Sequence, residues 1–151
     1  MRKFLLPLIA GFGLVMAALS VSPASAAGQV YQTSSGTAID GTDAVAYFTE
    51  GRPVAGSPDI TYEWNGAEWR FSSTENRAKF VANPERFAPQ YGGFCAWAMA
   101  QGKQAPTEPE AWRIVDGKLY LNYNKSIQER WVADIPGNIA AADRNWPSFT
   151  Q

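Results

Sequence analysis

From Thr61 to Phe71 the chain holds two short runs of alternating bulky and polar residues, Thr61 to Trp64 and Glu68 to Phe71, joined across Asn65-Gly66. A period of two marks a half-buried strand, and Asn-Gly tolerates the positive φ angles of a tight turn, so the pattern predicts a β-hairpin. The same grammar returns at Trp112 to Val115 and Lys118 to Leu121, around Asp116-Gly117, and predicts a second hairpin. Between them the spacing lengthens to that of helices. Ser72 and Glu75 stand three apart, as in a capping box, Phe80 and Val81 lie on the helix body, and Asn83-Pro84 ends it because the residue before proline resists helical geometry. Pro89 and Gly92-Gly93 predict a bend, Phe94 to Gln101 a short apolar helix closed by Gly102, and Lys103 to Ala111 an exposed loop. Asn124 is placed to cap a helix with Ile127 and Trp131 on one face; Pro136 and Gly137 are expected to break it before a last short helix, Ile139 to Trp146.

The expected fold is a small single α+β domain with two β-hairpins and several short helices. Its first ordered element is expected at Ala44 to Phe48. Ala27 to Gly41, rich in Ser, Thr, Gly and Ala, reads as a loose arm preceding a domain over 42–151.

Ahead of the arm, Arg2 and Lys3 precede an apolar run from Phe4 to Val21, and Ala24-Ser25-Ala26 offers the small residues a signal peptidase requires. Gly11, Gly13, Ser20 and Pro23 argue against a retained membrane helix. Residues 1–26 are therefore expected to be a cleaved leader, leaving a periplasmic or secreted protein with no membrane span in its mature form. The absence of a cysteine after the run argues against a lipoprotein.

Composition narrows the chemistry. Net charge is −1 over the full chain and −3 without the leader, 11 Lys and Arg against 14 Asp and Glu, with no basic cluster to hold nucleic acid. Histidine is absent, which excludes a Ser-His-Asp triad, a Cys-His pair and every His-ligated metal or haem site. Cys95 is the one cysteine, so no intramolecular disulfide can form; its thiol is buried, reactive, metal-bound or paired with another molecule.

The segment YEWNGAEWRFSSTENRAKFVANPERF, Tyr62 to Phe87, resembles the YHS domain, a relative of small cysteine-rich modules on heavy-metal pumps and metal sensors. The likeness spans 43–87 and consists of an aromatic hairpin, a Phe-X-Ser step into a helix, a helical Phe and an Asn-Pro-Glu-basic-aromatic ending. Together with PQYGGFCAWA (Pro89 to Ala98) and DGKLYLNYNK (Asp116 to Lys125), the chain is more narrowly similar to the exported bacterial group called YHS domain-containing (seleno)proteins. The resemblance implies a YHS-like core. In the metal-handling relatives cysteines would fall at about Ala46, at Ser72 and at Asn76; all three positions lack a thiolate here, so the family's usual soft-metal cage is lost. The group's name further implies that selenocysteine replaces a cysteine in some members, expected at the position of Cys95.

Cys95 follows two glycines at the start of the apolar helix, where backbone N–H groups can stabilise a thiolate and where glycines permit a ligand or partner to approach. The alternative is a packed core thiol. Met99, four residues on, is the other sulfur of the mature chain; Cys95 with Met99 would suit Cu(I) or another soft metal ion, or simply form a core stripe. Asp40 and Asp43, in DGTD, would hold a small cation or shape a turn. Three functions follow: a non-catalytic, soft-metal-associated accessory module using Cys95; a thiol redox protein in which Cys95 pairs with a partner thiol; or an interaction domain with an inert cysteine. The partner would be a periplasmic metal-handling or redox protein.

Overall fold

The computed structural model describes residues 29–151, so the expected leader lies outside the described residues. The chain folds into a small α+β domain built on two antiparallel hairpins. In chain order the elements are α1 (Ala46–Thr49), β1 (Ser57–Trp64), β2 (Ala67–Phe71), α2 (Thr74–Ala82), α3 (Pro84–Phe87), α4 (Ala96–Ala100), β3 (Trp112–Val115), β4 (Lys118–Leu121), α5 (Lys125–Val132) and α6 (Ile135–Asn145). Among the described residues no helix is long and apolar enough to cross a membrane.

Both hairpins turn where the dipeptides demand. Asn65 and Gly66 take φ of 53° and 79°, Asp116 and Gly117 take 51° and 74°, the left-handed pair that matches strand twist. Tyr62 faces Trp69 across the first ladder and Ile114 faces Leu119 across the second. Strand β2 alternates strictly, turning Ala67, Trp69 and Phe71 inward. Those rings meet Phe80 of α2, which lies 5.0 Å from Trp69, 5.1 Å from Phe71 and 5.7 Å from Trp64 between ring centroids.

Strand β4 is covered on both sides and divides two cores. Leu119 and Leu121 join the first, with Val45, Tyr47, Trp69, Phe71 and Phe80. Tyr120 joins the second, with Tyr91, Met99, Trp131 and Ala142.

Several expectations are corrected. The arm 27–41 is not loose from residue 29 onward: Tyr31 N–H donates to Gly92 O, Ala38 N–H to Glu68 O, and Ala38 and Ile39 are buried. A polar composition concealed backbone pairing, which any side chain permits. Helix α2 is capped by Ser73, whose hydroxyl accepts from Asn76 N–H, rather than by Ser72. Pro136 and Gly137 do not break a helix but open α6, where proline lacks only an N–H that has no helical partner; Asp134 caps that end by accepting from Gly137 N–H. Asn124 caps α5 as expected.

Candidate functional site

Cys95 sits at the N-cap of α4, one residue before the helix proper, and is 0% exposed. Its own N–H is held by Ala105 O. The sulfur accepts the N–H of Ala98 at 3.5 Å and the N–H of Tyr123 at 3.3 Å. The thiol in turn donates to Oδ1 of Asn122, 3.6 Å away. Cys95 thus joins α4 to the segment that follows β4. Burial pushes its pKa up, and the backbone N–H groups of Ala98, Tyr123 and Trp97 oppose that rise. The sequence expectation of an easily ionised thiol is therefore corrected: the donors are present, but desolvation outweighs them.

Asn122 is the residue that sequence reasoning missed. It is 0% exposed, and its Oδ1 accepts from both the Cys95 thiol and Trp97 N–H, the latter at 3.0 Å. Its Nδ2 has no hydrogen-bond partner among the described residues. Nothing in LNYN distinguishes a buried asparagine from a turn-former; only its position one residue past β4 fixes it.

A pocket of about 250 Å³ is lined by Cys95, Trp97, Ala98, Ala105, Tyr123 and Ile127. Tyr123, one of the lining residues, is 47% exposed. Arg130 stacks on the ring of Trp97, 5.6 Å from its centroid.

The glycines ahead of Cys95 serve the chain itself. Gly92 and Gly93 have φ of 63° and 86°; a Cβ on Gly92 would meet Gln29 O at 1.9 Å, and one on Gly93 would meet Ile39 Cγ2 at 2.6 Å. Their close approach admits the N-terminal segment rather than a partner.

Met99 is fully buried in the second core with Tyr91, Tyr120 and Trp131, while the Cys95 sulfur is engaged by Asn122, Ala98 and Tyr123. No group of three or more Cys, Asp or Glu side chains able to hold a metal occurs among the described residues. The positions where the YHS resemblance implies lost ligands do converge, but on a carboxylate. Asp43, 0% exposed, accepts from Val45 N–H (2.9 Å), Ala46 N–H (3.2 Å), Ser72 N–H (2.8 Å), Ser72 Oγ (2.6 Å) and Asn76 Nδ2 (2.9 Å). Oxygen acceptors saturated by five donors do not fit a soft metal. Asp40 stands apart with φ of 56° and accepts from Tyr31 Oη at 3.1 Å, so the two carboxylates of DGTD have separate partners.

No family model matches the chain, and no curated protein or solved structure does so either.

Proposed function

We propose that the protein is an exported thiol redox module whose working group is Cys95, kept protonated and shielded until the wall formed by Tyr123 and Trp97 admits a reactant. One observation carries this reading: the sulfur rests on two backbone N–H donors beside a buried amide, and Cys95 is among the residues lining an apolar pocket of about 250 Å³. Backbone donors aimed at a sulfur stabilise the thiolate that must form for attack. The resemblance to a group with selenocysteine members agrees, since selenium serves redox chemistry and is wasted on packing. A soft-metal function finds less support, because among the described residues Cys95 belongs to no group of three or more Cys, Asp or Glu side chains able to hold a metal.

The test is disulfide exchange with 2-hydroxyethyl disulfide, a small neutral oxidant. The Cys95 thiolate attacks one sulfur, the S–S bond breaks, and 2-mercaptoethanol leaves carrying the electron pair and a proton. An adduct on folded protein, absent from Cys95→Ser, is the expected result. Its absence from folded protein, with rapid formation on unfolded chain, would refute the reading.

A second reading is favoured by the zero exposure of Cys95 and its helix-capping bond: the cysteine is a structural cap in an interaction domain. That reading requires the folded protein to be inert in the same experiment.

A further inference from the structure

We infer that a second pocket, at the seam between the two cores, binds a small organic cation of the quaternary ammonium class. Its lining does not include Cys95, and it stands independently of the thiol reading.

The pocket has a volume of about 230 Å³ and four aromatic residues in its lining. Trp64 and Trp69 come from the first hairpin, Tyr91 from the bend after α3, and Trp146 from the segment that follows α6. The first two belong to one core and the last two to the other. Within each pair the rings meet edge to face, with centroids 5.7 Å and 6.1 Å apart. Trp146 reaches over Gly92, where its Cη2 lies 3.3 Å from the place a Cβ would take.

Two independent observations point to a cation. The first is that the polar edges of the two buried rings are used by the chain itself. Trp69 Nε1–H donates to Trp64 O at 2.9 Å, and Tyr91 Oη donates to Asp143 Oδ1 at 2.9 Å. What this aromatic set keeps for a ligand is π surface, whose negative face attracts positive charge. The chain's own cations do not take it. Arg77, Arg86 and Arg130 stack over Tyr62, Phe87 and Trp97, all outside this lining.

The second observation is charge. Glu85 is the one charged side chain in the lining, with no lysine or arginine beside it there. Neither ion pair among the described residues, Arg52 with Glu50 or Arg70 with Glu68, involves it. An anion would be repelled. A neutral sugar would engage the amides of Asn65 and Gln90 but leave the carboxylate without a counter-charge. A cation set among the indoles beside Glu85 answers both features. A quaternary ammonium suits it best, because it carries no N–H that burial would leave unpaired.

The test is a calorimetric titration of the folded protein with choline, with its uncharged isostere 3,3-dimethylbutanol, and with glucose. Choline is expected to bind about tenfold more tightly than the isostere. Glu85→Gln, at an exposed position, is expected to weaken choline by about threefold and leave the isostere unchanged. Trp146→Leu keeps apolar bulk and removes a π face; it is expected to weaken choline by about fivefold. The isostere binding as tightly as choline to the wild-type protein would overturn the inference, whether or not a variant folds. So would an absence of saturable choline binding. Glucose binding more tightly than choline would replace the cation with a sugar. An unchanged choline affinity in folded Glu85→Gln or Trp146→Leu would overturn this pocket as the site.

Discussion

The backbone N–H of Tyr123 donates to the sulfur of Cys95 across 3.3 Å, so the residue after the buried Asn122 depends on a side chain 28 positions earlier. The same sulfur caps α4 through Ala98 N–H. Cys95→Ala leaves both donors without an acceptor and is expected to lower stability by about 1–3 kcal/mol, whereas Cys95→Ser, which restores an acceptor, should lose less. Urea denaturation of the two variants beside wild type measures the difference.

Alkaline pH should weaken the fold. Tyr91, buried and donating to Asp143 Oδ1 at 2.9 Å, has its pKa pushed well up by burial and that carboxylate; burial first, then Asp40, pushes Tyr31 up to about 12. Tyr47 and Cys95 are raised by burial as well. A group whose folded pKa is raised stabilises fully below its unfolded value and loses that contribution as pH climbs toward the folded one. The loss therefore begins near pH 9 for Cys95 and near pH 10 for the tyrosines. Thermal melts across that window should show falling stability, with a shallower fall in Tyr91→Phe. A flat profile to pH 11 or so would contradict these shifts.

Asp43 is the polar counterpart of Phe80, binding the turn before α1, the end of β2 and the first turn of α2 through one carboxylate. Asp43→Ala strands five donors, four of them backbone or amide N–H, and is expected to cost about 3 kcal/mol or more. Because Ser72 and Asn76 both reach Oδ2, Ser72→Cys with Asn76→Cys should create a thiolate pair beside a carboxylate. Cobalt(II) added to that double variant is expected to give a thiolate charge-transfer band that wild type lacks; no band would mean the two positions cannot share a metal.

The hairpins were legible because Asn65-Gly66 and Asp116-Gly117 carry their backbone geometry in their residue types. The chain around them was less so. Pro136 reads as a breaker, yet two positions past a capping Asp134 it is a good first-turn residue, and only the cap distinguishes the two cases. Ser72 and Ser73 are interchangeable as caps on paper; the demand of a buried Asp43 for Ser72 settles which one starts α2. At the candidate site, Cys95 was visible as the lone thiol, but its acceptors and donors are supplied by Asn122, Tyr123 and Ala105, which tertiary packing alone brings near. The convergence of Ser72 and Asn76 is implied by the family resemblance, whereas the carboxylate at its centre reads in the sequence as half of a small cation site or of a turn.

The most direct trial of Cys95 as a working thiol is its alkylation by iodoacetamide in the folded protein, followed across a urea series. A guarded but usable thiol opens by a local movement of the Tyr123 and Trp97 wall, so the rate at low urea should be independent of urea and should exceed the rate that global unfolding permits. A rate that climbs with urea from the first addition, in step with global stability, would show that the sulfur is reached only when the whole domain unfolds, and would leave Cys95 as a cap and nothing more.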